Sequence, residues 1–237
     1  MTKPLIGIVA KEKDIRFHGW SVNTTSNELR AALVAAGARV IALLPPHHKR
    51  FITPFPDAEI LSPAEQSDLN ETLSLCDGVV LQGGTAVFRY EEAVVLQALS
   101  LKIPFLGICA GLNTMARAVG GRADLIPEPH NHYHPEQQTT HDIHLTPDSL
   151  LARIVGQTHF SVNSIHHNTV YDTGLYRPVG TTPDGLTEAV EGPADTFHIG
   201  VHFHPELDWE TNPASARLFR AFVTAADEYR RGKGCQI

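Results

Sequence analysis

Two short stretches of this 237-residue chain carry the residue types of nucleophilic catalysis. In Gly107-Ile108-Cys109-Ala110-Gly111 a thiol stands between two glycines, and in His204-Pro205-Glu206 an imidazole and a carboxylate flank a proline. A cysteine attacks as its thiolate, so it needs exposure and surroundings that favour the anion. The apolar run Pro104-Phe105-Leu106 enters the first stretch and Leu112-Asn113 continues it. That is the pattern of a strand turning sharply into a helix with Cys109 at the turn. The two glycines remove side chains that would crowd so tight a turn. A helix N-terminus, with its aligned peptide dipoles and free N–H groups, favours a thiolate. Alone, Gly-x-Cys-x-Gly fits an ordinary buried cysteine at the end of a core strand equally well.

Pro205 cannot continue a strand ladder, so it ends the run before it and stiffens the backbone between His204 and Glu206. An imidazole beside a thiol accepts its proton, and a carboxylate on the other ring nitrogen holds the tautomer and stabilises the imidazolium. Cys109, His204 and Glu206 therefore form a candidate triad. A third stretch, Gln82-Gly83-Gly84-Thr85, follows Val79-Val80-Leu81 directly. Paired glycines after a central strand let backbone N–H groups face an oxyanion, although a plain turn accounts for this stretch taken by itself. What joins the three is position, since each lies at the end of an apolar run.

The elements that must hold these residues follow from the hydrophobic pattern. Leu5-Ile6-Gly7-Ile8-Val9-Ala10 reads as a strand buried on both faces, and residues 23–36 as a helix with Gly37 as its C-cap. A strand over 40–44 leads to a proline-rich surface excursion that lasts until Ser62. Ser62-Pro63 opens a helix to about residue 75, and another spans about 90–100. Alternation of strand and helix predicts an α/β fold, a doubly wound parallel sheet with right-handed crossovers and its reactive groups beyond the carboxyl ends of the strands. After Gly120-Gly121 the character changes. Short strand candidates run through Thr196, with a hairpin signal at Asp184-Gly185, so this part reads as a small antiparallel excursion at one sheet edge. Residues 197–203 return as a core strand. The last helix has Asn212 as N-cap, Pro213 at its first position, and Leu218, Phe219, Phe222, Val223 and Ala226 as its apolar face.

A composition 42% hydrophobic and 19% charged supplies one sizeable core, and no linker divides the chain, so residues 1–237 are expected to form a single domain. The net charge of −7 disfavours nucleic acid and anionic membranes as partners. The first apolar run is too short for a signal-peptide core, and three cysteines, Cys76, Cys109 and Cys235, are too few and odd for a disulfide framework. The expected location is the cytoplasm.

Leu106-Gly107-Ile108-Cys109-Ala110-Gly111, Leu81-Gln82-Gly83-Gly84 and Gly200-Val201-His202-Phe203-His204-Pro205-Glu206 together resemble the class I glutamine amidotransferase superfamily. Val162-Asn163-Ser164-Ile165-His166-His167-Asn168 and Asp184-Gly185-Leu186-Thr187-Glu188-Ala189 look like its γ-glutamyl-γ-aminobutyrate hydrolase branch, grouped with peptidase C26. The resemblance implies a flavodoxin-like fold, no cofactor and no metal, and a γ-glutamyl thioester formed on Cys109. It makes His204 the proton shuttle and Glu206 its orienting group, with the oxyanion held by backbone N–H groups of Gly83 or Gly84 and of Ala110. For the substrate's α-amino and α-carboxylate groups the expected contacts are Asn113, Ser164 and His166.

Departures from the branch pattern cluster where substrate is held. Ala110 replaces a usual arginine, Asn113 a glutamine, and Thr85-Ala86-Val87-Phe88 an aspartate- and proline-containing segment. Asn168 ends a motif that more often ends in glutamine, and His202-Phe203 stands for Gln-Trp. The triad is untouched, so the chemistry is better specified than the leaving group. His130, His132 and His134 alternate, with His141 and His144 nearby, a spacing that would suit zinc or nickel on an extended segment. The proline-rich setting and the lack of cysteine or of a recognised acidic spacing argue for a loop without metal instead. Three functions compete: a stand-alone hydrolase acting on a small-molecule γ-glutamyl substrate, a glutaminase subunit feeding ammonia to a synthase, and an idle binding protein. A homodimer is compatible with each.

Overall fold

In the computed structural model the described residues are 2–15, 20–46, 61–84, 88–137 and 139–233. Most of the proline-rich excursion (47–60), Thr85-Ala86-Val87 and Cys235 lie outside them. Five parallel strands form the centre: β1 (Leu5–Val9), β4 (Arg39–Leu43), β5 (Gly78–Leu81), β6 (Phe105–Ile108) and β13 (His198–Val201), in the order β4-β1-β5-β6-β13. Numbered among themselves these strands run 2-1-3-4-5, the flavodoxin-like winding. β5, β6 and β13 are buried along their whole length, which is why their sequences are apolar runs and not alternations.

Helices cover both faces. On one, Leu29 and Leu33 of α1 (Asn27–Ala35) and Leu218, Phe219 and Phe222 of α6 (Pro213–Lys233) pack on Ile6, Ile8, Val80, Leu106 and Ile199. On the other, Leu69 and Leu73 of α2 (Pro63–Ser74), Val94 and Val95 of α3 (Arg89–Ser100) and Leu112 and Met115 of α4 (Ala110–Ala118) cover Val9, Val79, Leu81 and Phe105. α2 begins at the expected Ser62 N-cap, which the structure completes to a capping box with Glu65.

α1 starts four residues later than its apolar periodicity predicts. Trp20–Thr24 is instead a strand, β3, paired antiparallel with β2 (Lys11–Ile15), and Ser26 caps the helix by accepting from Leu29 N at 3.1 Å. The Gln82 side chain secures that start: it donates to Val9 O and Thr24 O and accepts from Ser26 N, each at 2.9 Å. One amide thus pins the loop after β5 to two neighbouring segments.

The antiparallel excursion extends the same sheet through β12 (Thr187–Glu191), β11 (Arg177–Thr181), β8 (His141–Leu145) and β9 (His159–Val162), with β10 (Asn168–Asp172) and β7 (Arg122–Leu125) branching from β12. The hairpin between β11 and β12 closes as its Asp184-Gly185 signal predicts, with Gly185 at φ 86°. One of the expected strands is a helix, α5 (Leu150–Val155). Ser149 caps its N-terminus and Gly156, left-handed at φ 76°, its C-terminus.

Gly111 is required by close approach, because a Cβ there would sit 2.2 Å from the carbonyl oxygen of Leu81. Neither backbone can move without displacing α4 or β5. Gly111→Ala is expected to cost at least about 3 kcal/mol, the upper range for overpacking. A urea-unfolding midpoint equal to that of the parent would contradict this.

Candidate active site

The three candidate stretches converge at the carboxyl ends of β5, β6 and β13. Cys109 is the residue between β6 and α4 and adopts φ 51°, ψ −108°, a strained backbone for any residue with a Cβ. Its N–H donates to Val201 O at 2.8 Å, so β13 holds the turn from the side. The strain throws the thiol off the end of the strand, where it is buried among its neighbours except for 8% of its surface. Sγ lies 3.9 Å from Ile165 O.

His204 is clamped by Asn163, which accepts from His204 N at 2.8 Å and donates to His204 O at 2.9 Å. Its Nδ1 lies 2.7 Å from Glu206 Oε1, across a short 3-10 turn that begins at Pro205. The Cys109 thiol lies close enough to interact with the imidazole as well. Burial alone would lower the His204 pKa, yet the Glu206 carboxylate and the Cys109 thiol outweigh it and hold the imidazole well above its ordinary value. Gly83 backs onto both partners: a Cβ there would meet His204 Cε1 at 2.8 Å and Cys109 Cβ at 3.3 Å. Gly84 lies alongside Lys11, at ordinary contact distance. Ala110, as the first residue of α4, has a backbone N–H with no acceptor inside the helix.

Asn113, Ser164 and His166 form a buried layer, each bonded to protein. The Asn113 amide lies 3.0 Å from His202 Nε2, and Ser164 Oγ donates to His132 O at 2.9 Å. His166 Nδ1 lies 2.9 Å from Asn168 O, and its ring stacks on His202 with centroids 4.6 Å apart. Burial drives His202 down to about 4 and His166 well below the ordinary histidine range, so both rings are neutral. Beneath them Glu188 is fully buried. Desolvation, reinforced by the nearby charges of Cys109 and Asp184, raises its carboxyl well above the usual range.

Two residues of this site escaped the sequence reading. Asn163 was seen only as part of a motif, although its amide brackets both backbone groups of His204 and fixes its place. Glu188 was likewise seen only within the motif Asp184 to Ala189, and β12 is buried from Glu188 through Glu191, so no alternation marked it. The histidines of 130–144 do not gather as one set. His130 and His132 face Asp184, His144 stacks on His159 at 4.4 Å, and His141 approaches His132 with centroids 5.0 Å apart. Among the described residues no helix is long and apolar enough to cross a membrane.

Comparison with known proteins bears on the family and the fold. The profile of the Peptidase C26 family matches residues 88–206, from the start of α3 to Glu206. The chain is 29% identical over 193 residues to the putative glutamine amidotransferase-like protein YvdE of Lactococcus lactis, covering 69% of this chain and 80% of that protein. It is 27% identical over 261 aligned positions to the gamma-glutamyl-gamma-aminobutyrate hydrolase PuuD of Escherichia coli K12, covering 97% and 96%. The glutaminase domain of Trypanosoma brucei CTPS, solved with bound acivicin, superposes with a TM-score of 0.69 at 18% identity, covering 95% of this chain and 94% of that one, which is a likeness of fold. The chain belongs to the Peptidase C26 family and is a hydrolase of the glutamine amidotransferase type.

Proposed function

We propose that this protein hydrolyses the γ-amide bond of small γ-glutamyl amines or peptides through a thioester on Cys109, releasing glutamate. The observation that carries this reading is the meeting of Cys109, His204, Glu206 and Gly83 at three adjacent strand ends. The Cys109 thiolate attacks the γ-carbonyl, and the oxyanion rests on N–H groups of Ala110 and of Gly83 or Gly84. Losing one such donor typically costs about 10²–10³ in rate. Imidazolium His204 gives its proton to the departing amine as the C–N bond breaks. Neutral again, it takes a proton from water, which attacks the thioester and returns the thiolate. Cys76 and Cys109 are both free thiols, which fits a reducing cytoplasm.

Likeness to a glutaminase domain over 95% of the chain favours a second reading, in which glutamine is cut and ammonia passes to a synthase. The two part on substrate. We would measure glutamate release from γ-glutamyl-GABA, other γ-glutamyl amines, γ-glutamyl dipeptides and glutamine. A clear preference for a γ-glutamyl amine or dipeptide supports the stand-alone hydrolase. Selective turnover of glutamine supports the glutaminase, and inactivity towards the whole panel refutes the hydrolase.

A further inference from the structure

Four side chains converge behind Cys109 and His204, among them His166, expected from the sequence to contact substrate but packed here against His202. His132, His141, His166 and Glu188 each offer a ligand atom, and those atoms all lie within 4.8 Å of one another. They come from four separate segments, the loop before β8, β8 itself, the connection between β9 and β10, and β12. Their hydrogen bonding is what sets them apart from a packed histidine cluster. His166 Nδ1 faces Asn168 O at 2.9 Å and His141 Nδ1 faces Asp142 O at 3.2 Å. Each carbonyl takes the single N–H of a neutral ring, which leaves a lone pair on Nε2.

Both of those Nε2 atoms are buried and have no hydrogen-bond partner, and neither side-chain oxygen of Glu188 has one within ordinary hydrogen-bond geometry, the Phe203 backbone interacting with it only weakly. His166 Nε2 and Glu188 Oε2 are 3.7 Å apart. Buried polar atoms without partners are costly, so four of them gathered at one point call for a group that satisfies all at once. His132 has both nitrogens engaged: Nε2 is 3.1 Å from Asp184 Oδ2, and Nδ1 is 3.3 Å from Ser164 Oγ. Ser164 already donates its proton to His132 O, which makes the Nδ1 contact the weaker. A carboxylate on the far nitrogen of a ligating histidine is the usual second partner at a metal centre.

We propose that His132, His141, His166 and Glu188 bind a divalent transition-metal cation of the zinc class. Three neutral imidazoles and one carboxylate form a donor set suited to four-coordinate zinc, with no position left open for substrate. The ion would draw the ligand atoms in to roughly 3.3 Å spacing, as tetrahedral bonds of about 2.0–2.1 Å require. A surface cleft of about 400 Å³, lined in part by Glu128, His130, His132 and His166, gives it a route in. Bound there, it would tie the 126–137 loop and the 163–166 segment to β8 and β12. That segment carries Asn163, which clamps His204, and Ile165, whose carbonyl faces Cys109. The ion is thus structural and supports one wall of the catalytic pocket from behind.

The test uses the full-length, untagged Cys109→Ala chain, so that the catalytic thiol cannot act as a ligand. Zinc is titrated against a competing chelator, and cobalt(II) substitution is followed by visible absorption. Expected are a single tight equivalent of zinc, the intense bands of four-coordinate cobalt, and a melting temperature raised by about 5–10 °C with zinc at roughly 100 times its Kd. His141→Ala and Glu188→Gln should each weaken binding by more than about 100-fold, beyond the range for loss of a supporting partner, while His159→Ala on the exposed His144–His159 stack changes nothing. The isosteric Glu188→Gln variant guards against misfolding of His141→Ala, with circular dichroism as the check. The proposal is overturned if Cys109→Ala retains no zinc at micromolar free ion, or if a well-folded Glu188→Gln chain binds as tightly as its parent.

Discussion

Replacing Cys109 by alanine is expected to reduce hydrolysis of the preferred γ-amide by at least about 10⁴-fold, because no other group on these strand ends can form the thioester. The substitution is clean. Alanine keeps the Cβ that the turn already accommodates at φ 51°, and the N–H bond to Val201 O is a backbone contact. The thiol's contact with Ile165 O, at 3.9 Å, is long and weak. Stability should therefore stay within about 1 kcal/mol of the parent. Steady-state rates together with a urea-unfolding midpoint decide the matter. A variant that folds normally and retains a tenth of the activity would remove Cys109 from the mechanism.

Glu206→Gln is the second large effect, and it separates catalysis from stability through pH. The side chain keeps its size but loses the charge that stabilises imidazolium His204 across 2.7 Å. Turnover is expected to fall by about 10²–10⁴, as for other triads stripped of their carboxylate. The stability cost has a definite sign with pH. His204 has a folded pKa raised above its unfolded value of about 6.5, so the pair's contribution is fully present below that pH and is lost as pH rises through the raised folded value. Glu206→Gln should thus destabilise the protein more at mildly acidic than at alkaline pH. Chemical denaturation across that range would show it, and a pH-independent or inverted difference would mean that His204 carries no charge in the folded protein.

The legible parts of this fold are those where local chemistry and tertiary demand coincide. Continuous apolar runs mark β1, β5, β6 and β13 because both faces of a central parallel strand are covered by helices. Ser62-Pro63 and Asn212-Pro213 mark helix starts because capping is settled within four residues. The late start of α1 was illegible, since β3 exists only through its pairing with β2 and through the reach of Gln82 from another strand. α5 was hidden for another reason. Six residues between a serine and a glycine are too few to distinguish helical from strand periodicity.

At the site, the meeting of Cys109, Gly83, His204 and Glu206 was legible because each proposed role asks for a residue type at a strand end: a thiol in a sharp turn, a side-chain-free loop, an imidazole and a carboxylate. Their order along the chain together with an alternating strand and helix pattern implies that those ends are neighbours. What only the tertiary structure decided are the contacts made across the sheet by groups with no local signature. Asn163 holds His204 from 41 residues away, Asn113 meets His202 from 89 away, and three histidines with Glu188 gather from four segments into one dry cluster. Sequence carries the type of each such residue. The partner that will be opposite a given side chain depends on sheet register and loop path, which no local periodicity encodes.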